Sequence, residues 1–220
     1  MHPKINPSEI DLIVFDLDGT LADSLPDIAD AANYACRKLG LPEHPKEAVK
    51  DMIGGGELAF ARRFLRTEDP ELLERGLALY LEHYYQHCGD LTRLYPGVKE
   101  TLPRLASKKL AVLSNKRQSL AELVLEVMGI REFFVAVRGA GDLPLKPDPA
   151  ALLAVIHELQ ADPARTLMVG DKTADVQAGK AAGTYTAAVT YGYGELNALI
   201  ASDPDVVMPR FSELADLLPP

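Results

Sequence analysis

The chain of 220 residues predicts an α/β protein, a doubly wound parallel sheet with an all-α segment inserted after its first strand. Three observations predict it. Short, nearly unbroken apolar runs recur, as in strands covered on both faces of a parallel sheet. From about residue 93 these runs alternate with helical patterns. Between about 24 and 92, helical patterns follow one another with no strand candidate among them.

The first run, IDLIVF over residues 10–15, ends at Asp16 with Gly19 close behind. Helical spacing then covers 26–39, 45–53, 57–66 and 70–87. Such a block between the first strand and the rest of a sheet reads as an inserted domain over 23–92. The sheet-forming part would be 1–22 plus 93–220, with hinges at 22–24 and 93–96. Three further strands are expected at 110–113 (LAVL), 133–137 (FFVAV) and 166–169 (TLMV), and a weaker one at 185–189. The helix at 119–128 stops at Gly129, one at 150–159 follows Pro147 and Pro149, and one at 174–182 stops at Gly183.

Composition narrows the function. Lysine and arginine number 23 against 32 aspartates and glutamates, a formal net charge of −9. That argues against nucleic acid, whose binding draws on excess basic residues. It leaves room for a small anionic substrate at a locally positive site. Only Cys36 and Cys88 are present, too few for a disulfide framework, so a reducing cytoplasm is expected. No apolar run approaches a membrane span, and no secretory signal is evident at the start. Neither a membrane nor a nucleic-acid partner is expected, and the protein is read as a monomer or homodimer.

In open parallel sheets, ligands bind at the carboxyl ends of the strands. The first run delivers Asp16-Leu17-Asp18-Gly19-Thr20 there, and the second delivers Ser114-Asn115-Lys116. Beyond the third lies Lys146-Pro147-Asp148-Pro149. The fourth delivers Gly170-Asp171, with Asp175 a helical turn later. Taken singly, these are a turn, a helix cap, a surface lysine and a strand exit. Together and in this order they describe a site. A carboxylate at a strand end attacks phosphorus. A second, two residues on, serves as acid and then base, and positions i and i+2 share a strand face. Asp16 is the expected nucleophile and Asp18 the acid and base. Two such charges roughly 4 Å apart cost about 4 kcal/mol at an effective dielectric near 20, so the cluster needs cations. Oxygen ligands without His or Cys favour a hard ion, and Mg²⁺ is the usual partner of phosphate. The candidate ligands are Asp16, Asp18, Asp171 and Asp175. Lys146 adds positive charge, and Ser114 and Asn115 hold phosphate oxygens with the amides of the following helix start.

Asp16-Leu17-Asp18-Gly19-Thr20-Leu21-Ala22-Asp23-Ser24 resembles the first motif of the haloacid dehalogenase superfamily in its phosphatase form. Ser114, Lys146 and Gly170-Asp171 with Asp175 are similar to its later motifs, in order. Tyr95-Pro96-Gly97-Val98, Ser114-Asn115-Lys116 and Lys146-Pro147-Asp148-Pro149 resemble the phosphoglycolate phosphatase branch. The resemblance spans about 10–195. It implies a Rossmann-like core, a small helical cap and a Mg²⁺-dependent phosphomonoesterase for a small metabolite, foremost 2-phosphoglycolate, through an aspartyl phosphate. Another small phosphate ester, a sugar-phosphate mutase and an inactive binding protein are the alternatives. The resemblance also implies that Gly54, Gly55 and Gly56 form the cap's substrate loop and that Arg63 meets the substrate. From the residues alone, that triplet is equally a flexible connection, and Arg63 equally a helix cap or a solvated side chain. Two positions depart from the pattern: Ser114 where Thr is common, and Lys172 where Ser is usual. An inward Lys172 would weaken metal binding; an outward, solvated one is expected. His83 and His87, with Cys88 adjacent, have metal-ligand spacing but lack an acidic partner, and read as cap surface.

Overall fold

The computed structural model describes residues 7–218. Leu12–Phe15 form β1, and all four residues are buried. Ile13 and Phe15 pack with Val112, Phe134 and Val169 on one face of the sheet. Leu12 and Val14 pack with Leu152, Val155 and Met168 on the other. Two-sided burial explains why this segment is apolar without alternation.

The chain leaves through β2 (Ala22–Asp23) into α1 (Leu25–Leu39), α2 (Lys46–Met52), α3 (Gly56–Leu65) and α4 (Pro70–His87). It returns through β3 (Arg93–Leu94), antiparallel to β2, with Ala22 opposite Leu94 and Asp23 opposite Arg93. The α4 start follows its sequence closely. Asp69 accepts from the Glu71 N–H, and Pro70 occupies the first turn, where its missing N–H costs nothing. Phe60 and Phe64 of α3 meet Tyr80 and Tyr84 of α4, with Phe60–Tyr80 centroids 5.4 Å apart and Tyr80–Tyr84 5.6 Å. This aromatic group is continuous with the apolar cluster on one face of the sheet.

Next come α5 (Val98–Thr101), β4 (Lys109–Arg117), α6 (Gln118–Val127), β5 (Ala136–Ala140), α7 (Ala150–Glu158), β6 (Thr166–Gly170), α8 (Thr173–Ala182), β7 (Tyr185–Val189), α9 (Leu196–Ala201), β8 (Val206–Met208) and α10 (Glu213–Leu217). The main sheet has six strands in the order β5-β4-β1-β6-β7-β8. All its pairings are parallel. The doubly wound α/β fold is the one the sequence predicts.

Three elements differ from expectation. β5 begins at Ala136 rather than 133, because Arg131–Phe133 turns as a 3-10 helix and Arg131 Nη1 donates to the Phe134 carbonyl at 2.7 Å. β4 continues past 113 to Arg117, with a register shift against β5. β8 has only three residues, too few for a pattern; Asp205 just before it accepts from the N–H and hydroxyl of Thr186, both at 2.9 Å.

Candidate active site

Phe15 lies opposite Val112 on one side and Val169 on the other. β1, β4 and β6 therefore carry Asp16, Ser114 and Asp171 to one edge of the sheet, Asp16 and Asp171 just after their strands and Ser114 within β4, where its regular pairing with β5 ends. The Asp16 N–H donates to the Val169 carbonyl at 2.9 Å, extending the pairing one residue beyond β1. Asp16, Asp18, Ser114, Lys146, Asp171 and Asp175 are all buried.

Lys146 binds the carboxylates together. Its Nζ lies 2.8 Å from Asp16 Oδ1 and 2.7 Å from Asp175 Oδ1, and it donates to the Leu113 carbonyl at 2.7 Å. An ammonium has three protons to give, and these acceptors take them all. Burial opposes the Lys146 charge, but Asp16 and Asp175 outweigh it and keep its pKa above the ordinary lysine range. Asn115 makes a two-bond clamp on the Lys146 backbone: Oδ1 accepts its N–H and Nδ2 donates to its carbonyl, both at 2.9 Å. The sequence assigns Asn115 to phosphate; here its amide holds the lysine loop.

Asp171 accepts from the Tyr193 N–H at 2.7 Å, the Gly194 N–H at 3.3 Å and the Thr20 hydroxyl at 3.2 Å. Its pKa is pushed up to about 7, first by burial and then by Asp16 and Asp175. Gly19 has φ +93°, and a Cβ there would lie 2.4 Å from Asp171 Oδ2, so the turn after β1 requires glycine. Asp175 is raised as well, chiefly by burial. Its Oδ2 accepts from the Lys172 N–H at 3.0 Å, tying down the start of α8.

The donor set fits a hard cation. Oxygens of Asp16, Asp171 and Asp175 lie within 4.8 Å of one another. Both Asp175 oxygens are engaged by Lys146 and the Lys172 N–H, and both Asp171 oxygens by Thr20, Tyr193 and Gly194, whereas Asp16 meets Lys146 through Oδ1. The Asp18 carboxylate stands apart, accepting from Ser24 Oγ at 2.5 Å and lying 3.2 Å from Lys116 Nζ. It is outside the group of Asp16, Asp171 and Asp175 that could hold a metal. Four acidic side chains and two buried lysines, Lys116 and Lys146, meet here, leaving two uncompensated charges for a divalent ion.

Asp16 and Asp18 open on a cavity of about 250 Å³ that Ser114, Lys146 and Gly54–56 also line. Gly54, Gly55 and Gly56 all have positive φ, 134°, 71° and 81°, giving a bend that side chains disfavour. Arg63 does not line the cavity. Its Nη1 donates to the carbonyls of Met52 and Gly54, both at 2.7 Å, and is exposed. Its guanidinium thus closes the end of α2 and braces the glycine loop. Lys172 takes neither of the orientations considered from sequence. It reaches across to the insert, donating to the Ile53 carbonyl at 3.0 Å with its Nζ 5.7 Å from the Tyr193 ring centroid. His83 pairs with Asp30 at 2.7 Å and stacks on Tyr34, while His87 pairs with Asp90 at 2.8 Å. The two imidazoles thus serve different carboxylates.

Residues 13–189 match the family model of haloacid dehalogenase-like hydrolases. The chain belongs to this family. Among relatives of this haloacid dehalogenase-like hydrolase, the phosphoglycolate phosphatase of Vibrio vulnificus (strain CMCP6) is 41% identical over 96% of both chains. That of Chromobacterium violaceum is 37% identical over 97% of this chain and 99% of its own. The crystal structure of a predicted phosphoglycolate phosphatase from Haemophilus somnus 129pt superposes with a TM-score of 0.90. It is 30% identical over 95% of this chain and 98% of that one. The haloacid dehalogenase-like chain is a phosphoric monoester hydrolase.

Sequence reasoning passed over Lys116 as a site residue. It stands two residues beyond Ser114 on the extended β4, and both are buried while Asn115 between them is only partly so. The same i, i+2 relation that picks out Asp16 and Asp18 applies to this pair. Ser24 ends the first motif, six residues from Asp18, but the Tyr193 and Gly194 amides had no local signal, since they meet Asp171 only through the fold.

Proposed function

We propose that this phosphatase hydrolyses 2-phosphoglycolate with Mg²⁺, through a phosphorylated Asp16. One observation carries the reading: two aspartates at the end of β1 share a small cavity with Ser114 and Lys146. The Asp16 oxygen bonds to phosphorus as the ester P–O bond breaks. Asp18 gives its proton to the departing glycolate oxygen. Asp18, now a carboxylate, takes a proton from water, whose oxygen attacks phosphorus and frees Asp16 and inorganic phosphate. Ser114 holds a phosphoryl oxygen through these steps, and Lys146 orients Asp16 and adds positive charge beside the transferring group. Asp16, Asp171 and the Asp18 carbonyl would hold Mg²⁺, which would supply charge to offset the phosphate dianion. Asp175 supports the set through Lys146.

The segment 23–92 acts in this reading as a cap over a core of 1–22 and 93–220, with Gly54–Gly56 approaching the substrate. Names of the full-length relatives support the substrate. No helix among the described residues is long and apolar enough to cross a membrane, and two buried free thiols suit a reducing cytoplasm. A panel of small phosphate esters with Mg²⁺ tests the substrate. Phosphoglycolate should exceed sugar phosphates, nucleotides and pyrophosphate in kcat/KM by at least tenfold; an equal or better sugar phosphate or nucleotide overturns it.

A further inference from the structure

Lys116 is an unusual cation. It is buried, at 8% exposure, yet lines the cavity beside Asp18. Its Nζ has two polar partners, Asp18 Oδ2 at 3.2 Å and Tyr84 Oη at 3.0 Å, and lies 4.5 Å from the Tyr84 ring centroid. An ammonium carries three protons, so one is available to a ligand. The other cations are committed elsewhere. Lys146 has three acceptors, and Arg63 is bound to loop carbonyls. The cap-side acid on the cavity wall, Glu57, is matched by Arg117, whose Nε and Nη2 approach Oε2 at 2.9 and 2.7 Å. Lys116 thus shares its part of the cavity with the apolar walls of Phe60 and Tyr80.

We propose that Lys116 is the specificity residue that binds a carboxylate on the non-phosphorylated end of the substrate, with Tyr84 holding the ammonium in place. The inference rests on the phosphatase reading above and names what the cavity selects. A buried ammonium with a free proton favours an anion over a neutral group, and the small cavity favours a short one. Lys172 is the competing cation, but it is turned to the Ile53 carbonyl.

The test is calorimetric binding to the Mg²⁺-loaded protein of two non-hydrolysable phosphonates of similar size, phosphonoacetate and ethylphosphonate. Wild type should bind phosphonoacetate about 10- to 100-fold more tightly, the range expected of a hydrogen bond to a charged group. Lys116→Met should bring that ratio close to one. Because Lys116→Met also leaves Asp18 unpaired, and that anion would repel a carboxylate, the ratio is compared as well between Asp18→Asn and Asp18→Asn/Lys116→Met, where the same collapse is expected. A wild-type ratio near one, a ratio that survives Lys116→Met, or one that collapses only in Lys172→Met overturns the proposal. Should Lys116→Met not fold, Lys116→Arg decides. A ratio altered several-fold supports the assignment, and an unchanged one overturns it. Because binding is read without turnover, failure to hydrolyse phosphoglycolate would count against the substrate reading alone.

Discussion

Asp16 and Asp171 show how the same residue type takes different work from its surroundings. Asp16 faces the cavity and shares Lys146 with Asp175, whereas Asp171 is closed in by the Tyr193 and Gly194 amides. Asp16→Asn keeps the shape but loses the attacking charge. Single-turnover hydrolysis should slow by several orders of magnitude, the scale of nucleophile removal in other enzymes; near-normal turnover would refute the nucleophile. Asp171 gives a pH prediction. Without metal its pKa is raised from 3.8 to about 7, so the folded protein binds this proton more tightly than the unfolded chain. The contribution to stability is full below about pH 4 and is lost as pH rises through about 7. A cation needs the carboxylate ionised. The rise in melting temperature on adding Mg²⁺ should therefore grow from pH 5 to pH 7.5, by several degrees. Asp171→Asn should flatten that trend, and a Mg²⁺ effect independent of pH in wild type would contradict it.

At the scale of elements, the loop between α2 and α3 and the start of α8 meet across the cavity mouth. Lys172 bonds to the Ile53 carbonyl, and Arg63 braces the next residues from behind. The loop is thus held on two sides, and its three glycines supply the bend. A Cβ on Gly56 would come 2.7 Å from Leu145 Cδ1, beside the Lys146 loop. Replacing Gly55 and Gly56 with Ala adds strain at two positive φ values, on the order of 1–2 kcal/mol each. Steady-state profiles should show kcat/KM for phosphoglycolate falling at least tenfold further than for p-nitrophenyl phosphate, with the Mg²⁺ requirement unchanged. Equal losses would make the loop a structural hinge only.

Over the whole molecule, insert and sheet are joined by more than β2 and β3. One apolar cluster runs through both, and Lys116–Tyr84, Lys172–Ile53 and Arg117–Glu57 bridge them. The last is partly exposed, and such pairs contribute little on their own; the apolar seam is the stronger tie. Cys36 in α1 and Cys88 after α4 are buried within that seam, and burial raises both thiol pKa values. Both thiols should therefore resist a disulfide reagent at neutral pH, reacting on the timescale of unfolding. Rapid labelling of Cys88 with Cys36 protected would instead show that the insert opens near β3.

The sequence alone determined the α/β class, and it named Asp16, Asp18, Lys146 and Asp171 with Asp175, all of which the fold buries. These depend on local rules: apolar runs make covered strands, and parallel strands deliver their C-terminal neighbours to one edge of the sheet. Tertiary structure decided the rest. Asn115 clamps the Lys146 loop, Arg63 braces the glycines, and Lys172 reaches the insert rather than solvent. Lys116 acquired its place because β4 runs on to Arg117 and α4 lays Tyr84 beside it. Each of those outcomes is a choice among partners distant in the chain, which no window of sequence contains. Local pattern sets which groups reach the edge of the sheet, and long-range packing sets which of them remain free to meet a substrate.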